Sequence, residues 1–174
     1  MAKRYLLSSS VRGSFFDIPS DMASLERYYV LATDDLDLIG SRRGAENRLG
    51  LAIHIALLRY PGQGWRNSDQ IPPEVIHWLS EQIHVSTSVL DIYGTRESTR
   101  AAHRVLAIGH LGLRPFLRAD FKTALELATQ AAFGTDDSAA IMRGLLAGLS
   151  EARLVYRVRP NKGTKSTTGI LALI

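Results

Sequence analysis

The sequence predicts an all-α fold, a compact multi-helix domain with helix-turn-helix-like units. Apolar residues recur at the i, i+3, i+4 spacing of amphipathic helices along most of the chain. Proline and glycine stand where these apolar patterns begin and end. No stretch alternates between apolar and polar residues over the length that a strand of a sheet needs.

The first half of the chain is predicted to hold five helices. They cover residues 8–16, 20–29, 33–39, 45–60 and 72–84. Ser20 and Thr33 can cap the second and third helices, and two prolines open the fifth. Helix 45–60 is apolar on most of its sides, which predicts a central and buried helix. Pro61 and Gly62 end it.

The second half of the chain is predicted to be helical as well. The helices cover residues 86–93, 95–109 and 117–133, and Asp136 opens a last one. Gly94 makes a tight turn between the first two, and Gly134 stops the third. The length fits one domain, or two small ones at most, and we assign residues 1–155 to a single domain. Residues 156–174 are basic and rich in Gly, Ser and Thr, which predicts a mobile tail.

Composition excludes several classes of protein. The chain has no cysteine, which excludes a disulfide scaffold, a cysteine nucleophile, a cysteine-ligated zinc site and an iron–sulfur cluster. No apolar run reaches the about 20 residues that a membrane-spanning helix needs. The opening MAKRYLLSSS has too few apolar residues for a secretory signal, so we expect a cytoplasmic protein. Basic residues cluster at 42–48, at 96–118 and in the tail, which predicts one basic face.

The helix predicted from Thr95 concentrates basic residues on one side. At 100° per residue this face holds Arg96, Arg100, His103, Arg104 and His110. The opposite face holds small and aliphatic residues and is predicted to be buried; it consists of Ala101, Ala102, Val105, Leu106, Ile108 and Gly109. A short helix, a glycine turn and a basic helix outline a helix-turn-helix. Arg96, Ser98 and Arg100 could then reach base edges, with Arg104 closer to phosphate. A basic face that is merely solvated fits the same pattern.

A second basic cluster surrounds the start of helix 45–60. Arg42 and Arg43 precede this helix, and Asn47 and Arg48 lie in its first turn. Exposed backbone N–H groups beside guanidinium groups suit a phosphate. An equally open alternative is a structural salt bridge from Arg48 to one of three acidic residues, Asp34, Asp35 and Asp37.

The histidines do not predict a metal site. His77 and His84, like His103 and His110, are seven residues apart, which places them about 10.5 Å apart along a helix and too far for one ion. We expect no metal and no cofactor. The chain also has no P-loop, dinucleotide fingerprint or nucleophile elbow, so we do not expect an enzyme in its own right.

Three further residues have structural interpretations. His54 lies within the buried helix and is predicted to be a hydrogen-bonded core histidine. Trp78 is predicted to belong to the core. Trp65 stands in a polar loop that either covers the core or lies on DNA, and the sequence leaves both open.

Two blocks of the sequence carry a resemblance to a known family. The first reads RRGAENRLGLAIHIALLRYPG at residues 42–62, and the second reads YGTRESTRAAHRVLAIGHLGLRPF at residues 93–116. Both are similar to the amino-terminal domain of Tn-three family transposases, the replicative enzymes of class II bacterial transposons. The opening RYLLSSSVRGSFFDIPSD is similar too. Two long blocks in the family's order are far more specific than a lone motif.

The resemblance implies a domain that binds double-stranded DNA at the terminal inverted repeats of a transposon during transposition. In this family a distant carboxy-terminal domain performs the chemistry with three carboxylates and magnesium, and this chain stops before it. Arg59 and Tyr93 match the family pattern beside the basic residues. The candidate DNA-binding residues are Arg42, Arg43, Asn47, Arg48, Arg96, Ser98, Arg100, His103 and Arg104.

The end of the sequence departs from the family pattern. The chain reads YRVRPNKGTKSTTGILALI and stops, where the family continues into a proline-rich link and a further helix. We therefore expect a truncated product or a separate fragment. Two alternatives to DNA binding stay open: a regulator that pairs with full-length transposase, and a nonfunctional remnant. A bacterial, nucleoid-associated location follows from the DNA-binding hypothesis.

Overall fold

The computed structural model describes residues 14–65, 71–93 and 97–155, and these residues are predominantly helical. The α-helices in chain order are α1 (Met22–Tyr28), α2 (Thr33–Gly40), α3 (Ala45–Arg59), α4 (Pro73–Gln82), α5 (Glu97–His110), α6 (Phe121–Ala131) and α7 (Ser138–Glu151). Short 3₁₀ helices cover Thr87–Ile92 and Arg118–Asp120. The predicted all-α class is therefore confirmed. Within the described part of the chain, no helix is long and apolar enough to cross a membrane.

Two short strands pair in parallel, which the sequence did not predict. They are β1 (Arg114–Pro115) and β2 (Leu154–Val155), with Arg114 opposite Leu154. The N–H of Phe116 donates to the carbonyl of Val155 at 3.0 Å. Strands of two residues are too short to produce the alternating pattern from which a strand is predicted.

Two compact units make up the described chain. One unit is Ile18–Gly112, which contains α1 to α5, and we call it the larger unit. The smaller unit combines residues 14–17 with residues 113–155 in the part that is described. Most of the predicted helix 8–16 and all of the predicted tail 156–174 lie outside the described residues.

Aspartates cap two of the helices, in each case one residue after the predicted cap. Asp21 caps α1, because its Oδ1 accepts a hydrogen bond from the N–H of Ser24 at 3.0 Å. Asp137 caps α7 in the same way, by accepting from the N–H of Ala139 at 2.9 Å. Both carboxylates satisfy a backbone donor that the first helical turn leaves without an intrahelical partner.

The larger unit is organised around α3. Residues 49–58 of this helix are all buried, which confirms the predicted central helix. Helices α2, α4 and α5 pack against it, and so does the 3₁₀ helix Thr87–Ile92. A helix surrounded on all sides has to be apolar on all sides, which explains why its sequence shows two apolar faces instead of one.

The smaller unit is built from α6 packed on α7. Its buried side chains are Ala124, Met142, Leu145, Leu149 and Leu154. The apolar spacing of residues 117–133 predicts that Leu125 and Ala132 also point inward, and this prediction is wrong because both are exposed. Helix α6 packs mainly on α7, so only a narrow stripe of its surface is covered.

The predicted helix-turn-helix region is described in part. The predicted short helix 86–93 is the 3₁₀ helix Thr87–Ile92, and α5 is described from Glu97 onward. Residues 94–96, which include the predicted glycine turn and Arg96, lie outside the described residues.

Candidate nucleic-acid interface

Helix α5 packs on α3 with the opposite side from the one that the sequence predicts. His103 and Ala107 are buried, although the sequence places His103 on the solvated side. Ala101 and Gly109 are exposed, and Val105 is 68% exposed. The predicted buried face of this helix is therefore wrong, and the described residues of its basic face lie toward α3 or at the edge of the contact, while Arg96 lies outside the described residues.

Four aromatic rings fill the space between α3 and α5, and we call them the aromatic cluster: His54, Trp65, Tyr93 and His103. All four are buried. The ring of Tyr93 stacks between Trp65, with centroids 5.2 Å apart, and His103, with centroids 5.6 Å apart. Gly50 of α3 makes room for this stack, because a Cβ at that position would overlap the Tyr93 ring.

This stacking explains why α5 is reversed. One edge of the Tyr93 ring meets Gly50, and the ring stacks on a flat partner from α5, which an alanine or a valine does not supply and the His103 imidazole does. Beside it, the stem of Arg104 passes so close to Gly64 that a Cβ there would lie 2.9 Å from the Arg104 Cδ. Long basic side chains can bury their stems in this way while their charged ends stay in water.

Tyr93 and His103 are joined by a buried hydrogen bond. The Tyr93 Oη lies 2.9 Å from the Nδ1 of His103. Burial raises the pKa of Tyr93. Burial lowers the pKa of His103, and the charge of Arg42 lowers it further. Both groups are therefore neutral at pH 7, and the bond forms either with the hydroxyl as donor to Nδ1 or with an Nδ1–H as donor to the hydroxyl oxygen, according to the tautomer of His103.

His54 is confirmed as a core residue, but it lacks the predicted hydrogen bond. Neither of its ring nitrogens has a partner among the described residues. Burial lowers the pKa of His54 to about 3, with further contributions from His103, Arg104 and Arg100. The imidazole is therefore neutral and is held by ring contacts, such as its approach to within 5.5 Å of Trp65.

The two basic clusters, which are about fifty residues apart in the chain, lie around this one aromatic cluster. The charge of Arg42, from the first cluster, acts on His103. The charges of Arg104 and Arg100, from the second, act on His54. Arg100 and Arg104 are partly buried, as is Arg42.

These arginines carry charges that the described carboxylates do not neutralise. Within the described residues, ion pairs form elsewhere and none involves the following side chains: Arg42, Arg43, Arg48, Arg100 and Arg104. Arg42 instead donates through Nη2 to the Oγ of Ser41 at 2.9 Å. Ser98, another candidate, is exposed on the outer side of α5.

A tight turn precedes α3 and orders the first basic cluster. Gly44 has φ +84°, a conformation that favours glycine, and a Cβ there would overlap the side chain of Glu46. The Nδ2 of Asn47 donates to the carbonyl of Arg43 at 2.8 Å and so closes the turn. Arg48 has a buried Nε without a hydrogen-bond partner among the described residues.

The proposed salt bridge from Arg48 to an acidic residue of helix α2 is wrong. Asp35 pairs instead with Arg59, whose Nη2 lies 2.8 Å from Oδ2, and with His110, whose Nε2 lies 2.8 Å from Oδ1. Burial would raise the pKa of Asp35, but hydrogen bonds from Arg59, from the N–H of Ala32 and from His110 outweigh it and lower the pKa.

This network was missed at the sequence level, although it fixes α2, α3 and α5 to one another. Asp35 lies in the first turn of α2, where the helix dipole alone accounts for a carboxylate. Its partners are 24 and 75 residues away in the chain. No local pattern links residues at such separations; the one signal was that Arg59 falls inside the matched block 42–62.

Both tryptophans are at least partly buried. Trp65 is buried against Tyr93, so the alternative in which its loop covers the core is the one that the structure supports. Trp78 is partly buried on α4. No group of three histidine, aspartate or glutamate side chains within the described ranges is arranged to hold a metal ion.

Fold and site together define an all-helical domain whose basic side chains surround a buried aromatic cluster. Residues 6–156 match the family described as "Domain of unknown function (DUF4158)", and the chain belongs to this family.

Relatives of the chain are transposases. It is 34% identical over 155 residues to the transposase for transposon Tn501 of Pseudomonas aeruginosa, which is 89% of this chain and 16% of that protein. It is 43% identical over 100 residues to the transposase for transposon Tn1546 of Enterococcus faecium, which is 58% of this chain and 10% of that protein. The transposase for transposon Tn21 of Escherichia coli is 31% identical over 156 residues, with coverage of 89% and 16%. The resemblance to transposases is confirmed, and the chain spans about one sixth of the length of the relatives that it matches most fully.

Proposed function

We propose that this domain binds double-stranded DNA and recognises the terminal inverted repeats of a transposon during transposition. The observation that carries the proposal is that Arg42 from the first basic cluster and Arg100 and Arg104 from the second act on the same aromatic cluster, and that none of the three pairs with a described carboxylate. The transposase relatives support it. Strand cleavage and transfer are not part of the proposal, because the chain spans only 16% of the length of such relatives.

The packing of these arginines suits phosphate binding. The stem of Arg104 is held against Gly64, and Arg42 is held by Ser41. A side chain that is already ordered loses less entropy when it binds, so its phosphate contact is stronger. Arg43 and Arg48 flank the start of α3, where backbone N–H groups add to the positive potential. Contacts of this kind position a protein on DNA without reading its sequence.

Fluorescence anisotropy with two labelled duplexes tests the proposal. One duplex carries the terminal inverted repeat of the element that encodes the chain, and the other carries the same bases in scrambled order. We expect tighter binding to the repeat, and we expect this preference to persist as salt rises. Equal binding that collapses with salt would show phosphate contacts alone, and the absence of binding to both duplexes would overturn the proposal.

A glutamine series identifies the arginines involved. Arg42→Gln and Arg104→Gln keep much of the buried stem and remove the charge. Each should weaken binding to both duplexes and lower the slope of log affinity against log salt by about 1. Arg143→Gln is the matched control. Arg143 is exposed in the smaller unit, and its Nη2 already lies 3.6 Å from the Oδ2 of Asp137, which neutralises its charge. If all three variants behave alike, the arginines around the aromatic cluster are not the DNA contact.

A specific observation favours a second candidate, association with full-length transposase. The smaller unit exposes three large apolar side chains, and one of them, Phe133, is 93% exposed. Leu117 and Leu125 are the other two. Large exposed apolar groups are typical of protein contacts. Size-exclusion chromatography of the chain with full-length transposase tests this candidate: co-elution that Phe133→Ser abolishes would support it, and separate elution would reject it.

A further inference from the structure

We propose that the domain takes up a proton at His103 when it binds DNA. This inference rests on the proposed DNA-binding function and adds a regulation of that same site, because it makes the affinity for DNA rise as pH falls. His103 lies in the contact between α5 and α3, where its ring stacks on Tyr93 within the aromatic cluster. The charges around this contact therefore decide whether the ring carries a second proton.

Positive charges surround the aromatic cluster in the free chain. The charge of Arg42, from the turn before α3, opposes a positive charge on His103. Arg100 and Arg104, which lie on the same helix as His103, act on His54 in the same cluster. None of the three arginines forms an ion pair with a described carboxylate. A proton on His103 is thus opposed by cations that the described part of the chain does not neutralise.

The described groups on the neighbouring elements bring no compensating negative charge. The other three members of the aromatic cluster are uncharged at pH 7. Glu46, in the first turn of α3, accepts a hydrogen bond from the Nδ2 of Asn47 at 3.1 Å. Asp35 of α2 is already bound by Arg59 and by His110 of α5. The phosphates of bound DNA would supply the charge that these groups do not.

Phosphate binding removes the opposition to a proton on His103. Phosphate oxygens that bind the three arginines place negative charge beside each guanidinium group. A nearby negative charge favours the protonated form of a histidine, so the pKa of His103 is higher in the complex than in the free chain. A group with a higher pKa in the complex binds more protons there, and the affinity for DNA therefore increases as pH falls.

The hydrogen bonds of the aromatic cluster direct the proton to His103 and not to His54. The Nδ1 of His103 lies 2.9 Å from the Oη of Tyr93, and a hydroxyl oxygen can accept from an N–H as well as donate. Neither ring nitrogen of His54 has a partner among the described residues. His103 is also 8% exposed, against 1% for His54. A charge on His103 is hydrogen-bonded, whereas a charge on His54 would be buried without a partner.

Anisotropy titrations of the full chain with the repeat duplex at pH 7.5 and 5.5, at one salt concentration, test the inference. A rise of one unit in the pKa of His103 tightens binding by at most about tenfold, and we expect about threefold because only part of this range is reached by pH 5.5. Isothermal titration calorimetry at pH 6, in two buffers with different ionisation enthalpies, counts the protons taken up, and we expect a net uptake. Equal affinity at the two pH values without proton uptake would overturn the inference.

Two variants assign the proton to His103. His103→Gln has no titratable ring, and Tyr93→Phe keeps the ring but removes the oxygen that accepts from Nδ1. Both should lower the ratio of the affinities at pH 5.5 and 7.5 and reduce the proton uptake, and Tyr93→Phe gives this readout even if His103→Gln does not fold. His77→Gln is the matched control, because His77 is an exposed histidine of α4, and it should keep the ratio. If the histidine and tyrosine variants both keep the full ratio, another group takes up the proton and the inference is wrong.

Arg42→Gln tests the cause of the uptake. Without this charge the pKa of His103 is already higher in the free chain, so binding should take up fewer protons than in the parent chain. Arg143→Gln should take up as many protons as the parent chain, since Arg143 lies in the smaller unit beside Asp137. Equal uptake by the two variants would overturn the link between the arginine charge and His103.

The outcome also separates this inference from the proposed function. If the chain binds the repeat duplex with the same affinity at both pH values, the DNA-binding proposal stands and proton uptake is rejected. If the chain binds neither duplex at either pH, the proposed function itself fails.

Discussion

Each of the two compact units contains a buried aspartate near the start of a helix, and the two are used differently. Asp35 accepts a hydrogen bond from the N–H of Ala32 at 2.8 Å, and Asp120 accepts one from the N–H of Leu117 at 2.8 Å. The two arrangements are locally the same, since each carboxylate caps the residue three positions before it.

Their other partners distinguish them. Asp35 binds Arg59, 24 residues away, and His110, 75 residues away. Apart from Leu117, the Asp120 carboxylate binds only Arg114 among the described residues, and that residue is 6 positions away. The first aspartate therefore joins three helices of the larger unit, whereas the second stabilises one local turn. The same local motif can serve long-range or local order, and the sequence around it does not tell which.

Replacing each aspartate with asparagine gives the largest expected difference between the units. Asp35→Asn should lower the free energy of unfolding by about 3 kcal/mol, because it leaves the Arg59 guanidinium facing a neutral amide and replaces one of the acceptor oxygens that Arg59 and His110 share with an N–H donor. Asp120→Asn should cost clearly less, because Arg114 is largely exposed and water replaces its partner. Urea unfolding of both variants measures this. Equal losses of stability in the two variants would show that the distant partners of Asp35 add no more stability than the local partner of Asp120.

Glycine substitutions in the two units compare how rigidly each is packed. A Cβ at Gly50 meets the Tyr93 ring, which is held between two other rings and cannot move aside. We expect Gly50→Ala to cost about 3 kcal/mol by overpacking. At Gly148 in the smaller unit, a Cβ would lie 2.6 Å from the flexible end of Leu127.

The helix propensity of alanine offsets that second contact. Gly148→Ala should therefore stay within about 1 kcal/mol of the parent chain in urea unfolding. A smaller loss for Gly50→Ala than for Gly148→Ala would contradict the view that the aromatic cluster is the more rigid core.

Much of the fold could be predicted from the sequence because the residues that start, form and end a helix lie close together in the chain. The apolar pattern of 45–60 predicted α3 almost to the residue, and Pro73 predicted the start of α4. The caps predicted at Ser20 and Asp136 are each one residue early, since a neighbouring aspartate takes the role. The cap predicted at Thr33 is one residue late, because Ala32 precedes the helix and its N–H is bound by the Asp35 carboxylate. The two-residue strands are too short to show the alternation of apolar and polar residues from which a strand is predicted.

The residue types of the candidate site could be predicted from the sequence, but their arrangement could not. The two basic clusters were identified, but not their position around one aromatic cluster, because this depends on Gly50 admitting the Tyr93 ring. The prediction from helical periodicity assumed that the apolar side of α5 faces the core. Packing instead buries His103 and the arginine stems there, since their shapes and hydrogen bonds fit that space.

The stability of the larger unit should depend on pH more strongly than that of the smaller unit. All five histidines lie in the larger unit, and the pKa of His54 is about 3 in the folded chain against 6.5 for an exposed histidine. Below pH 6.5 the unfolded chain takes up a proton that folded His54 does not, so stability falls as pH falls. Between pH 7.5 and 5.5 we expect His54 to cost the larger unit about 1.4 kcal/mol.

Urea unfolding followed by tryptophan fluorescence reports on this unit, because both tryptophans belong to it. His54→Leu should remove about 1.4 kcal/mol of the pH dependence and leave a remainder from His103, whose pKa is also lowered. Hydrogen exchange, corrected for intrinsic rates, should show unchanged protection of the smaller unit between the two pH values. A variant with the full pH dependence would reject the role of His54.

The smallest expected effect tests whether a single polar contact matters within the larger unit. Tyr93→Phe removes the hydroxyl that is hydrogen-bonded to the Nδ1 of His103 at 2.9 Å and should cost about 1 kcal/mol in urea unfolding. Tyr29→Phe is the matched control, because the Tyr29 hydroxyl is also buried but has no hydrogen-bond partner among the described residues. Its removal should be neutral or slightly stabilising, since no bond is lost. Equal losses for the two variants would mean that ring packing holds the cluster, and that the difference between the units arises from the Asp35 network alone.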